Sequence, residues 1–133
     1  MTVIITDEGF GPETWDAGFD GANVLDLASD TDPRTLEGKL DGIEMIRVDF
    51  PSFADGRGFT IARHLRLIGY KGRLRAKGHV ISDQYAMARR TGFDEVEISD
   101  ELAARQPEDQ WQFRANWQSH NYQARMRATS NHA

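Results

Sequence analysis

Short apolar runs alternate with amphipathic segments along the chain, which is the pattern of repeated β–α units. The apolar runs lie at residues 23–30, 43–50, 72–78 and 94–98. Between them, apolar residues recur at helical spacing, most clearly in Phe59, Ala62 and Leu65. This alternation predicts an α/β fold of four or five βα units with a mainly parallel sheet. The sheet would be open or arranged as half of a TIM-like barrel.

Turn residues mark the predicted ends of the helices. Asp32 followed by Pro33 is typical of a helix start, where the carboxylate caps free N–H groups and proline occupies the first turn. Two helices are predicted to stop at a glycine followed by an aromatic residue, at Gly69 and at Gly92.

The length of 133 residues fits one domain. We therefore expect a single domain over residues 1–133, with an irregular N-terminal segment at 1–20 and a frayed polar tail at 119–133. The N-terminus lacks the basic start and long apolar run of a signal peptide, and no run approaches the ~18 apolar residues of a membrane span. The expected location is the cytoplasm, with no membrane partner.

The sequence contains no cysteine, which excludes disulfides, thiolate metal sites, clusters held by cysteine and a cysteine nucleophile. His79 and Asp83 lie four residues apart, but no histidine and carboxylate show a recognised ligand spacing. We expect no metal. No cofactor is evident from the sequence.

The net charge of −5 hides an uneven distribution. Residues 1–55 carry thirteen acidic and three basic side chains, whereas residues 57–90 carry nine basic ones and the single acid Asp83. The basic stretch could attract an anion, or it could form solvated faces that the acidic half balances. Because the whole chain is acidic, we expect no nucleic-acid partner.

Polar residues follow the predicted strands, and the carboxyl ends of parallel strands form the usual functional edge. The candidate binding residues are Asp55, Arg57, Arg75, His79, Asp83 and Gln84. They would hold an anion or take part in acid–base chemistry, although no catalytic residue can be assigned.

The stretch "GRGFTI" from Gly56 lies between a predicted strand and a predicted helix. It lacks the third glycine of a dinucleotide fingerprint and the Lys-Ser/Thr ending of a P-loop. Two interpretations remain. The helix start and Arg57 would bind an anion, or Asp55 would simply cap the helix while Gly56 makes the turn.

The stretches "DGRGFTIARHLR" and "GYKGRLRAKGHVISDQYAMARRTGFDEVEI" resemble the bacterial family called domain of unknown function 934. The matching motifs are Asp-Gly-Arg at 55–57, Ala-Arg at 62–63, Leu-Arg at 65–66, Gly-x-Leu-Arg-Ala-x-Gly at 72–78, Asp-Gln at 83–84 and Arg-x-Gly-Phe at 90–93. His79 and Thr91 depart from the family pattern, which often has aspartate and cysteine there.

The resemblance implies a genomic setting beside assimilatory sulfite reductase, where family members are often labelled oxidoreductases. On that basis we expect an accessory protein of sulfate and sulfite reduction that docks to sulfite reductase or its electron donor. The alternative is a small anion-binding or enzymatic module with a site at the carboxyl edge of the strands. The oligomeric state stays open.

Overall fold

The computed structural model describes residues 2–115 and 117 of the chain. In this part of the chain the strands are Thr2–Thr6 (β1), Gly9–Gly11 (β2), Val24–Leu27 (β3), Met45–Phe50 (β4), Arg73–Gly78 (β5) and Glu95–Ser99 (β6). The α-helices are Arg57–Leu67 (α1), Tyr85–Thr91 (α2), Asp100–Arg105 (α3) and Glu108–Phe113 (α4). Short 3-10 turns span Pro33–Leu36 and Ser82–Gln84. The expected frayed tail at 119–133 lies outside the described residues.

The six strands form one open sheet in the order β2-β1-β6-β5-β4-β3. Strands β3 to β6 are parallel to their neighbours, whereas β1 runs antiparallel to both β6 and β2. The predicted α/β class with a mainly parallel sheet is confirmed. The segment 1–20, expected to be irregular, instead adds β1 and β2, because the buried Ile4 and Ile5 let β1 pair along β6.

Local capping follows the expected chemistry. The side chain of Asp32 accepts the backbone N–H of Arg34 and opens the 3-10 turn before Leu36. The two longer helices end at glycines. Helix α1 ends just before Gly69, and α2 ends at Gly92, which adopts a φ of +121°. Both predicted glycine stops are therefore confirmed.

The helices pack against one face of the sheet, which we call the apolar face. Its buried strand residues are Ile5, Leu27, Ile46, Val48, Phe50, Leu74, Ala76, Val96 and Ile98. Against them pack side chains from each helix, including Leu65, Ala88, Ala103 and Trp111. Burial of this apolar area is the main source of stability for the fold.

Alternation along the same strands places charged side chains on the opposite face, which we call the polar face. Its residues are Asp26, Arg47, Asp49, Arg73, Arg75, Lys77, Glu95 and Glu97. Residues 12–20, named here the N-terminal strap, cover part of it. The Phe19 ring lies 3.8 Å from the guanidinium carbon of Arg47, and Glu13 pairs with Arg75. Among the described residues, the second face is thus covered in part by a loop, whereas the helices pack on the apolar face.

Among the described residues, no helix combines the length and the apolar character needed to cross a membrane. The prediction of a single domain stays a prediction.

Candidate functional site

The loop between β4 and α1 lies at the carboxyl edge of the sheet and is closed by an aspartate–arginine pair. Asp55 accepts the backbone N–H of Arg57 at 3.1 Å and two guanidinium hydrogen bonds, at 3.0 and 2.8 Å. These bonds from the Arg57 side chain and backbone lower the pKa of Asp55 well below its usual value. Arg57 also donates to the hydroxyl of Ser29 at 3.0 Å, which links the ends of β3 and β4.

The second glycine of "GRG" has a packing role. Gly58 is buried in the first turn of α1, and a Cβ atom there would lie 2.5 Å from the Phe50 ring. Only glycine lets α1 approach β4 this closely. The close packing of Gly58 and the Asp55–Arg57 pair both support a structural role for "GRG" as the start of α1. The Arg57 guanidinium that an anion would need is already hydrogen-bonded to Asp55.

The 3-10 turn after β5 is tied to the β4–α1 loop by Gln84. Its Oε1 accepts the backbone N–H of Ile81 at 3.1 Å, and its Nε2 donates to the carbonyl of Phe53 at 2.7 Å. Ser82, which is buried, donates its hydroxyl to Gln106 at 2.8 Å. Gln84 therefore holds two loops of the carboxyl edge together.

A pocket of about 500 Å³ opens beside this turn. Its lining residues are Ile81, Ser82, Asp83, Gln106, Asp109, Gln110, Phe113 and Arg114. Asp83 accepts a hydrogen bond from Arg114 at 2.8 Å across the rim. Phe113 is 69% exposed, and Phe53, on the loop that Gln84 holds, is 58% exposed. We call Phe53 and Phe113 the edge aromatics.

His79 is exposed at the same edge, and its backbone N–H donates to the carbonyl of Phe50. The described residues contain no group of three or more histidine or carboxylate side chains placed to hold a metal ion. His79 and Asp83 both lie at the carboxyl edge of the sheet. Asp83 accepts its hydrogen bond from Arg114.

Arg75 lies elsewhere, so the six candidate residues do not form one site. It sits mid-strand on the polar face, fully buried, while Arg57 is at the loop beyond β4. The predicted grouping of these two arginines is wrong in this respect. The physical reason is strand alternation, since Arg73, Arg75 and Lys77 share the face opposite to Leu74 and Ala76.

Arg75 is the centre of a buried charge network. It donates to Glu13 at 2.7 and 2.6 Å, to Glu95 at 2.5 Å and to Glu97 at 2.8 Å. Burial opposes its charged form, but the surrounding carboxylates outweigh burial and raise its pKa. In return, the hydrogen bonds from Arg75 lower the pKa of Glu13.

A second arginine of the polar face, Arg47, is also held by carboxylates. Arg47 donates from Nε and Nη2 to the two carboxylate oxygens of Asp26, at 2.6 and 2.7 Å, and its Nη1 lies 3.7 Å from Glu97. The bidentate bond from Arg47 lowers the pKa of Asp26.

Several motif residues have structural roles at the amino edge of the sheet. Arg66 donates two hydrogen bonds to the carbonyl of Gly92, one each to the carbonyls of Tyr70 and Gly72, and one to Asp94. It thereby joins the ends of α1 and α2. The Leu-Arg and Arg-x-Gly-Phe motifs meet at this contact.

Sequence reasoning missed the polar face as a unit. The signal was present, because charged residues alternate with apolar ones in "RLRAK" and in "EVEI". Lys77 and Asp49 lie side by side on this face and line a pocket with Asp26 and Arg47. This pocket was not predicted as a site.

Comparison with known proteins identifies a family. Residues 24–132 match the model of the family described as "Bacterial protein of unknown function (DUF934)". Neither the curated proteins nor the solved structures gave a match. The match spans most of the chain, including every parallel strand and the motifs joined by Arg66. This chain is therefore a member of the DUF934 family.

Proposed function

We propose that this chain is a cytoplasmic accessory protein of assimilatory sulfite reduction that docks to sulfite reductase or to its electron donor. The pathway comes from the genomic setting that the family resemblance implies. The observation that carries docking is the pair of edge aromatics, Phe53 and Phe113, exposed by 58% and 69%. Large exposed aromatics next to polar groups are typical of protein interfaces.

Charged groups lie at the same carboxyl edge as these aromatics, and the guanidinium carbon of Arg114 is 5.1 Å from the centre of the Phe113 ring. Arg57 and Arg114 have side chains that are 61% and 42% exposed, and each is held in place by an aspartate. Ion pairs held in place in this way offer donors and acceptors at fixed positions, which help to fix the orientation of a bound partner. In this proposal the chain serves the redox reaction of its partner by binding it.

As part of this proposal, we interpret the sheet as half of a TIM-like barrel. It is supported by the consecutive parallel strands β3 to β6 and by the helices gathered on one face. In TIM barrels the functional loops follow the carboxyl ends of the strands. The edge aromatics lie in those loops or beside them.

Binding to purified sulfite reductase and to its electron donor, measured by biolayer interferometry at low and at physiological salt, tests the docking. We expect saturable binding that weakens with salt, because exposed charges are screened beyond ~8–10 Å. Phe53→Ala with Phe113→Ala should weaken binding at least about tenfold, as truncation of interface aromatics does. The matched control is Leu67→Ala, which alters a 77% exposed side chain at the far end of α1.

Two outcomes would contradict the proposal. Absence of binding at low salt to either protein would remove the docking role. Normal growth of a deletion strain with sulfate as the sole sulfur source would remove the pathway.

The alternative function, a small-molecule module, gains support from one observation. The polar-face pocket between Asp26, Arg47, Asp49 and Lys77 brings charges of both signs to the carboxyl end of the parallel strands.

A further inference from the structure

The polar face has one open end. A pocket of about 270 Å³ lies there, lined by Asp26, Leu27, Ala28, Arg47, Asp49 and Lys77. These residues belong to β3, β4 and β5 or follow directly after β3. The pocket is thus at the carboxyl end of three parallel strands, on the face opposite to the one against which the described helices pack. Ligands of open α/β sheets bind outside the carboxyl ends of strands.

The N-terminal strap covers the neighbouring part of the face, and none of its residues lines the pocket. Glu13 pairs with Arg75, Thr14 accepts a hydrogen bond from Arg73, and Phe19 lies on Arg47. The row formed by Asp49 and Lys77, register partners on β4 and β5, comes next along the strands. In the described part of the chain, no hydrogen bond or ion pair joins the strap to either of these two residues.

Most charges of the polar face are already matched. Asp26 uses both carboxylate oxygens on Arg47, and Glu97 faces both Arg47 and Arg75. Asp49 and Lys77 differ from these residues. They are neighbours in register, yet neither forms an ion pair with any residue in the described part of the chain. Lys77 acts on Asp26 only through space, adding to the effect of Arg47 on the pKa of that carboxylate. Among the described residues, one ammonium and one carboxylate thus line the pocket without an ion pair.

The mixture of charges restricts the ligand. A simple anion would meet the carboxylates of Asp49 and Asp26, and a metal ion would meet the ammonium of Lys77 and the guanidinium of Arg47. A molecule that carries both charges satisfies both free groups at once. The small volume, below the ~300 Å³ of ordinary ligand pockets, limits the molecule to a few heavy atoms beyond its charged groups.

We propose that this pocket binds a small zwitterion of the amino-acid class, with its carboxylate at Lys77 and its ammonium at Asp49. Arg47 and Asp26 form a fixed wall, since their mutual bidentate bonds hold them in place. The site is independent of the edge aromatics and does not rest on docking to a reductase.

The test is a titration of the full chain, labelled with ¹⁵N, with each of the twenty free L-amino acids up to about 10 mM, a range suited to ligands held by few contacts. We expect saturable shifts of the backbone amides of Ala28, Asp49 and Lys77 with at least one of them. Acetate and methylamine, which each carry one of the two charges, should bind at least tenfold more weakly. The absence of saturable shifts with all twenty, or equal binding of acetate alone, would overturn the proposal.

Variants assign the two charges. Lys77→Met and Asp49→Asn should each weaken binding tenfold or more, because each leaves one charge of the ligand unmatched. Neither residue takes part in an ion pair within the described ranges, so the folded spectrum should persist in both variants. Lys71→Met, at the opposite edge of the sheet, is the control and should bind as the unaltered chain does. Unchanged affinity in both pocket variants would contradict the assignment.

The two proposals fail separately. Phe53→Ala with Phe113→Ala should leave amino-acid binding intact, and Lys77→Met should leave docking intact. Loss of amino-acid binding in the aromatic variant would show that the shifts do not arise from the pocket.

Discussion

Arg75 holds the carboxylate of Glu13 with two parallel hydrogen bonds, from Nη1 to Oε1 at 2.7 Å and from Nη2 to Oε2 at 2.6 Å. The two residues are far apart in sequence, and Glu13 lies outside the family match at 24–132. The N-terminal strap therefore supplies a charge that the buried arginine of the family region uses. We therefore expect the free energy of unfolding of the sheet to depend on whether the N-terminal strap is in place.

The first prediction concerns Arg57 and Arg75, which the sequence analysis assigns to one candidate site. Arg75→Met should destabilise the protein by about 3–5 kcal/mol, because it removes the buried partner that Glu95 and Glu97 share. Within the described part of the chain, Glu95 then keeps only Arg73, and Glu97 keeps only Arg47 at 3.7 Å. Arg57→Met should have a far smaller effect, since the Arg57 side chain is 61% exposed and water can reach its side of the pair with Asp55. Urea unfolding of both variants measures the difference.

The comparison includes its own control, as both variants replace arginine by methionine. Equal loss of stability in the two variants would mean that the polar-face network is not a buried unit. A further variant, Arg75→Met with Glu97→Gln, should recover part of the loss, because Glu97 is then neutral and Arg47, its remaining neighbour, keeps Asp26.

The second prediction concerns acid. Pairing with Arg75 lowers the pKa of Glu13 from its usual 4.5, so the folded state favours the deprotonated form. A carboxylate with a lowered folded-state pKa stabilises the protein above its unfolded-state pKa and loses that contribution as the pH falls through the folded-state value. We therefore expect Glu13→Gln to be less stable at pH 7 and to show a shallower decline below about pH 4.5.

Urea unfolding measured between about pH 7 and pH 3 gives the two curves, which should converge at the acidic end. Asp16→Asn is the control, because it removes a carboxylate of the same strap that forms no ion pair among the described residues. Parallel curves for Glu13→Gln and the unaltered chain would show that the strap pair does not contribute.

Much of the fold followed from local patterns. The strands at 43–50, 72–78 and 94–98 were predicted within two residues, because burial of alternate or consecutive apolar residues marks them. The antiparallel placement of β1 beside β6 was not predictable, since the order of strands depends on packing between distant segments. The helix predicted to stop at Gly92 begins at Tyr85, directly after the 3-10 turn Ser82–Gln84. Gln84 fixes this turn by bonding to Ile81 and Phe53.

The candidate site was less predictable than the fold. Proximity to a strand end placed Asp55, Arg57 and Gln84 correctly at the carboxyl edge, but it gave no information on the direction of side chains. To place Arg75 correctly, one must know which face of the sheet its side chain lies on as well as how near it is to the end of its strand. Glu13 could not have been found at all, because its pairing depends on the path of a loop without periodicity.

The third prediction concerns the junction between α1 and α2. Gly92 has a φ of +121°, and a Cβ atom there would lie 2.5 Å from Cγ of Arg66. Gly92→Ala should cost about 1–3 kcal/mol through backbone strain, together with displacement of the arginine. Gly38→Ala is the matched control, because Gly38 also has a positive φ of +77° but no atom near the added carbon. Urea unfolding should therefore show a larger loss for Gly92→Ala.

A double-mutant cycle separates strain from crowding at this junction. If the new methyl group displaces Arg66, then Gly92→Ala should cost less in a chain that already carries Arg66→Ala, because the crowded side chain is gone. Arg66→Ala alone should be destabilising, since the carbonyls of Gly72 and Gly92 lose their donors. Strictly additive costs would assign the whole effect of Gly92→Ala to the backbone and would remove the steric coupling between the two motifs.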